Sequence, residues 1–245
     1  MSNLTQSQTA SVTPLASQIV IAHKGASAYA PENTLLSFRR AYELGAQMIE
    51  LDVHETLDGQ LVCIHDKTVD RTTDGSGEVH NFSYKELLEM DAGGGERIPL
   101  LEDVLTFASR KLQVNIELKV IGVEMEVLDL GEKTGMTDSI IISSFLHGAL
   151  STIKEISSNS ATAILIKDKM NDLVQYAVDL KANAINPDYK LVSADLVKDA
   201  QMHALRVYPW TVNDTATMKR LFEIGVDGII TDYPDVALDI LRSFI

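Results

Sequence analysis

Two histidines in this chain stand where a pair of imidazoles could divide proton transfer between them. His23 follows the apolar run Ile19–Ala22 and His65 follows Leu61–Ile64. Imidazoles titrate near neutrality, so one can serve as general base and the other as general acid. Glu50 and Asp52 alternate with Ile49, Leu51 and Val53, and Glu117 alternates with Ile116 and Leu118. A period of two sends each set of carboxylates to one face of a strand. Three hard oxygen donors suit Mg²⁺ or Ca²⁺, with Mn²⁺ admitted, better than zinc, which prefers imidazole and thiolate. Without a cation, such carboxylates would repel one another and any anionic substrate. The plain alternative is that Glu50 and Asp52 only solvate a strand end.

Two lysines could meet an anionic group. Lys119 shares the inward face of Glu117, and Lys24 lies in the turn after His23. Each ammonium is a strong point charge for non-bridging phosphate oxygens, with surface solvation as the alternative, above all for Lys24. Trp210, the only tryptophan, follows Tyr208-Pro209, and Phe145 follows Ser143-Ser144. Their rings could wall a small pocket from opposite sides, although core packing would account for either equally well.

The elements that must position these residues read as repeated strand and helix. Strands are expected at Ile19–His23, Met48–Val53, Gln113–Val120, Ser139–Ser143, Thr162–Ile166, Ala184–Asn186, Arg206–Tyr208 and Gly228–Thr231. Helices are expected from Asn33, read as an N-cap, and at Leu101–Ser109, Glu124–Lys133, Leu146–Ile156, Met170–Leu180, Ser193–Met202, Thr215–Glu223 and Pro234–Phe244. The turn Asp58-Gly59 makes Gln60–His65 a hairpin extension, and residues 66–99, with a helical piece near Tyr84–Met90, read as a small insertion. Eight units in 245 residues match the ~250 typical of a (β/α)8 TIM barrel. An open doubly wound sheet would show fewer strands and a glycine-rich dinucleotide turn. The candidate residues fall at the C-terminal ends of strands, which in a barrel converge on one mouth.

Composition narrows the function classes. A net charge of −14 repels polyanions, so nucleic acid is not an expected partner. Cys63 is the only cysteine and cannot form an internal disulfide. Residues 1–17 are rich in Ser, Thr and Gln, lack a basic and an apolar region, and read as a flexible leader ahead of one domain over 18–245. No apolar run approaches the ~18 residues of a membrane span, and a cytoplasmic location is expected.

The ordered segments His23-Lys24-Gly25-Ala26-Ser27, Ala30-Pro31-Glu32-Asn33-Thr34, Ile49-Glu50-Leu51-Asp52-Val53 and Ile64-His65-Asp66 carry a resemblance. Ile98–Glu102, Asn115–Lys119, Ser143-Ser144-Phe145, Trp210–Asn213 and Gly228–Pro234 extend it over residues 19 to 245. The chain resembles the glycerophosphodiester phosphodiesterases of the cytoplasmic bacterial type. That resemblance implies a barrel with an insertion after its second strand, and one divalent cation held by the acids matching Glu50, Asp52 and Glu117. It also implies His23 and His65 as the acid/base pair, Lys119 as a phosphate contact, and Trp210 beside the leaving alcohol. The implied substrate is a small glycerophosphodiester such as glycerophosphocholine or glycerophosphoethanolamine, cleaved to glycerol 3-phosphate and an alcohol. The family's His-Arg-Gly reads His23-Lys24-Gly25 here, which keeps the charge but loses the guanidinium fork. Rival readings are a lysophospholipase D-type lipid diesterase and a non-catalytic phosphodiester-binding barrel; self-association into a homo-oligomer is left open.

Overall fold

The alternating runs of the sequence become the staves of a barrel. The computed structural model describes residues 18–244, so the expected leader over residues 1–17 lies outside the described residues. Strands β1 (Ile19–Ala22), β2 (Met48–Glu55), β3 (Leu61–Cys63), β4 (Gln113–Leu118), β5 (Ile140–Ser144), β6 (Ala161–Ile166), β7 (Ala184–Pro187), β8 (Arg206–Val207) and β9 (Gly228–Thr231) form one sheet. All pairings are parallel except that of β3 with β2, and the order is β8-β7-β6-β5-β4-β2-β1-β9. Backbone bonds from Asp227 N to Val207 O (3.1 Å) and from Ile230 N to Pro209 O (2.9 Å) span the seam between β8 and β9. The result is a nearly closed barrel of eight parallel strands, the expected architecture. β8 stops before the expected Tyr208 because Pro187 of β7 has no N–H to donate to Tyr208 O, although Tyr208 N still donates to Ile185 O at 3.0 Å.

Helices α1 (Leu35–Leu44), α2 (Tyr84–Leu87), α3 (Leu101–Ala108), α4 (Glu124–Lys133), α5 (His147–Ile156), α6 (Leu173–Asp179), α7 (Ala194–Met202), α8 (Thr215–Glu223) and α9 (Pro234–Arg242) complete the described chain. Two starts differ from expectation. α1 is capped by Thr34, whose side chain accepts from Ser37 N in a reciprocal capping box, and not by Asn33. Asn33 has φ 57° and turns its amide toward the sheet. α6 begins at Leu173, not Met170, because Asp172 adopts φ 53° and interrupts the helical path.

The core has two faces. Outward side chains such as Ile49, Ile116, Ile164 and Ile185 pack against helix residues including Phe38, Leu105, Val197 and Phe222. Inward, Ile21, Met48, Ile141, Ala163, Ala184, Tyr208 and Ile230 fill the barrel. Between β3 and α3, Val62, Ile64, Val69, Val79, Leu87 and Ile98 make a separate small cluster that steadies the long connection beside the mouth. Above the interior apolar layer the inward residues turn polar, and there the candidate site lies.

Candidate active site

The turn after β1 is built for close approach. Gly25 has φ +82°, and a Cβ on it would lie 2.3 Å from Ser37 Oγ and 2.6 Å from the Ser37 carbonyl carbon, so α1 packs where only glycine leaves room. This turn directs the Lys24 N–H to Glu50 Oε2 at 2.9 Å. Lys24 itself, at φ 53°, is buried, and its Nζ reaches Glu32 Oε1 at 3.3 Å.

β2 and β4 bring the three acids together. Oxygens of Glu50, Asp52 and Glu117 lie within 4.8 Å of one another, and the residues are 4%, 0% and 7% exposed. That burial rules out the reading in which Glu50 and Asp52 merely solvate a strand end. Burial, then the charge of Asp52, pushes Glu50 up to about 8 and Glu117 up to about 7. Asp52 is buried too, yet the Lys119, His65 and Lys24 charges hold its carboxyl below the ordinary value. Lys119 Nζ lies 3.0 Å from Asp52 Oδ1 and donates to Glu117. Asn33 Nδ2 donates to Asp52 Oδ2 at 2.8 Å, and Asp52 N donates back to Asn33 Oδ1 at 3.3 Å. An all-oxygen cluster in which burial and the charge of Asp52 raise Glu50 and Glu117 suits a divalent cation.

Each histidine is backed by a carboxylate. His23 Nδ1 pairs with Asp232 Oδ1 at 2.6 Å, at the C-terminal end of β9, and His65 Nδ1 pairs with Asp66 Oδ1 at 2.6 Å. A carboxylate on Nδ1 fixes the tautomer and leaves Nε2 for exchange with a ligand. Burial pulls His23 down, but the Asp232 hydrogen bond and the Glu50 charge outweigh it and leave the ring raised. Asp232 is also held by Ser27 Oγ (2.9 Å) and Asn213 Nδ2 (2.6 Å). Asp66 accepts from Arg71 Nε at 2.6 Å, and that guanidinium also grips Glu32 at 2.9 and 2.7 Å. Arg71, first of all, holds the Asp66 carboxyl well below the usual range.

His23, His65, Lys24, Lys119, Glu50 and Glu117 line one cavity of about 170 Å³. Its volume is below the ~300–1,000 Å³ of sites for drug-sized ligands, so it suits a small molecule. Asn115 and Ser143 form its depth, and Phe145, Leu165, Trp210 and Ile230 form its apolar side. The two aromatics do not face each other across the cavity as expected. Their rings meet edge-on at 5.6 Å, because the ends of β5 and β8 converge at the mouth, and they make one wall. Trp210 Nε1 donates to Asn186 O at 2.7 Å, which fixes the indole. A larger groove of about 730 Å³ between α6 and α7 contains none of these groups.

All nine expected site residues therefore lie at one mouth, Asp52 beneath its surface. Sequence reasoning missed Asn33, Asp66, Asp232, Arg71, Glu32 and Asn115. Asp232 follows the strand that ends at Thr231 and Asp66 follows His65, so strand-end position was a usable signal for both. Arg71 sits in an aperiodic loop and offered none.

Comparison with known proteins gives a consistent result. The family model described as "Glycerophosphoryl diester phosphodiesterase family" matches residues 23–236. A glycerophosphodiester phosphodiesterase of Caldanaerobacter subterraneus subsp. tengcongensis is 38% identical over 238 residues, 92% of this chain and 98% of that protein. Among solved structures, an Oleispira antarctica phosphodiesterase in complex with the product sn-glycerol-3-phosphate superposes with a TM-score of 0.86 at 28% identity, covering 91% of this chain and 96% of the other. A glycerophosphodiester phosphodiesterase from Thermotoga maritima superposes with a TM-score of 0.79 at 27% identity, covering 91% and 97%.

Proposed function

The chain belongs to the glycerophosphoryl diester phosphodiesterase family and is a phosphoric diester hydrolase, and on that premise we propose that it cleaves small glycerophosphodiesters by two-histidine acid–base catalysis at a divalent-cation site. The observation that carries this reading is the meeting of two carboxylate-backed imidazoles with three buried acids around one small cavity. Glu50, Asp52 and Glu117 would hold Mg²⁺ or Ca²⁺, with Mn²⁺ also suited, and the bound ion supplies Lewis-acid polarisation of a phosphoryl oxygen.

The chain's own groups do the rest. Lys119 and Lys24 set ammonium charge beside the phosphate oxygens that the transition state loads with negative charge. One histidine takes the proton of the attacking oxygen, and the other gives a proton to the departing alcohol oxygen as its bond to phosphorus breaks. Asp232 and Asp66 stabilise whichever ring is cationic at each stage. Glycerol 3-phosphate and a free alcohol such as choline or ethanolamine result, the alcohol leaving along the Phe145–Trp210 wall. The attacking oxygen belongs either to water or to the neighbouring glycerol hydroxyl, and these routes separate by a search for cyclic glycerophosphate in oxygen-18 water.

The test is release of glycerol 3-phosphate from glycerophosphocholine and glycerophosphoethanolamine, with and without EDTA. Turnover that EDTA abolishes and an added divalent ion restores supports the reading; absence of turnover with Mg²⁺, Ca²⁺ and Mn²⁺ sinks it. A lipid diester is the second reading, favoured by the exposed Phe145 and Leu146 beside the mouth. Greater activity on lysophospholipid vesicles than on soluble glycerophosphocholine would select it. Among the described residues no helix is long and apolar enough to cross a membrane.

A further inference from the structure

Two polar residues in the depth of the cavity have no part in the scheme above. Asn115 lies on β4 one inward position deeper than Glu117 and opposite Glu50 in the β2–β4 ladder. Ser143 lies on β5 opposite Glu117. Both line the cavity and are buried, at 1% and 0% exposure. Asn115 Oδ1, Asn115 Nδ2 and Ser143 Oγ find no hydrogen-bond partner among the described residues.

Such groups are costly to bury unpaired, and the neighbouring strands show the cheaper solution. Along the same rung, Ser143 pairs with Ala163 and Ala163 with Ala184, both small, apolar and turned into the barrel. On this rung polarity stops at Ser143, on the strand next to β4 and its acid Glu117. Asn186 on β7 also has an unpartnered amide, but it does not line the cavity.

We infer that Asn115 and Ser143 form a hydroxyl-binding floor, which receives the terminal hydroxyl of the substrate's glycerol moiety and selects glycerol over deoxy analogues. This rests on the diesterase reading above and specifies which end of the substrate is read. The phosphate is drawn to Lys24, Lys119 and the imidazoles, all of them cationic or able to become so. The floor is neutral and offers donors and acceptors together, which is what an alcohol needs, since it donates and accepts at once. The departing alcohol occupies the open side, where Phe145 is 43% exposed, so the deep side is left to glycerol. A site built to hydrogen-bond a hydroxyl rejects the analogue lacking it, because its own polar groups are then left unpaired.

The test is binding, which does not require turnover. Calorimetry with sn-glycerol 3-phosphate and with propane-1,2-diol 1-phosphate, both in Mg²⁺ buffer, is compared for wild type, Ser143→Ala and Asn115→Ala. Wild type is expected to favour the glycerol compound by about tenfold or more. Each substitution should shrink that preference several-fold and leave affinity for the deoxy compound nearly unchanged. Retention of Mg²⁺-induced thermal stabilisation shows that each variant is folded with its acids in place. A preference that survives both substitutions, or a wild type that binds the two compounds equally, overturns the floor and leaves its polar atoms to bound water. A wild type that binds neither compound and turns over no diester overturns the functional reading itself, and the floor with it.

Discussion

His23 Nδ1 and Asp232 Oδ1 lie 2.6 Å apart, an ion pair that ties the first strand of the barrel to the last at the level of the chemistry. Asp232 is itself buried in part, yet the His23 hydrogen bond and charge keep its carboxyl below the ordinary value, so it is ionised at neutral pH. The carboxylate in turn raises His23 against the opposing effect of burial. Asp232→Asn removes that charge, so the His23 pKa must fall. The limb of the kcat/KM profile governed by His23 is expected to move to lower pH, with a loss of activity of about 10–100-fold, the usual cost of removing a group that orients a reactive imidazole. A pH profile unmoved by the substitution would show that the pair is structural only.

Arg71 links the two halves of the mouth. One guanidinium joins Asp66, which backs His65, to Glu32, which holds Lys24. The Arg71 side chain is 48% exposed, so its pairs contribute at most about 1 kcal/mol to folding. Arg71→Met is therefore expected to leave the melting temperature within a few degrees while reducing kcat/KM about tenfold. Arg71→Lys should recover only part of the loss, since an ammonium cannot make both bidentate contacts. Full activity in Arg71→Met would break the proposed link.

Cation binding should release protons. In the absence of a metal, Glu50 titrates near 8 and Glu117 near 7, so both carry protons on the acid side of neutrality that a ligating carboxylate must lose. Apparent Mg²⁺ affinity is expected to rise as pH increases through 7 and 8 and to level off above. Calorimetry in buffers of different ionisation enthalpy counts the protons directly. Equal affinity and no proton release on the two sides of this window would contradict the arrangement.

Gly25 sets the turn that brings Lys24 to Glu50. With φ +82° and Ser37 atoms at 2.3 and 2.6 Å from a would-be Cβ, Gly25→Ala combines a conformational penalty with a backbone clash. A destabilisation of about 2–4 kcal/mol is expected, read as a fall in melting temperature of roughly 5–15 °C. A melting temperature within a degree of wild type would show that the turn tolerates a Cβ.

Much of this was legible because barrel geometry converts linear alternation into convergence. A period of two assigns Glu50, Asp52 and Glu117 to inward strand faces and the eight strand–helix units bring those faces to one mouth, and the strand Gly228–Thr231 and the helices Glu124–Lys133 and Thr215–Glu223 fall where expected. Local patterns fail where tertiary contacts choose between neighbours. Asn33 and Thr34 are both good N-caps, and only the proximity of Asp52 assigns Asn33 to the acids and leaves the helix to Thr34. Phe145 and Trp210 could be placed at strand ends, but not on the same wall, because strand tilt is not written in either strand's residues. The Arg71 network depends on how an aperiodic segment folds back, and no periodicity encodes that.

The most direct test of the central claim compares wild type, His23→Ala and His65→Ala on two substrates in Mg²⁺ buffer: glycerophosphocholine, and a glycerol phosphodiester with 4-nitrophenol as the departing group. Each substitution should lower kcat on glycerophosphocholine by about 10²–10⁴-fold. A 4-nitrophenolate needs no proton to depart, so the variant lacking the general acid recovers on the second substrate, whereas the variant lacking the base does not. Near wild-type turnover of glycerophosphocholine by either variant, or failure of both to discriminate between the substrates, would contradict a division of acid and base between His23 and His65.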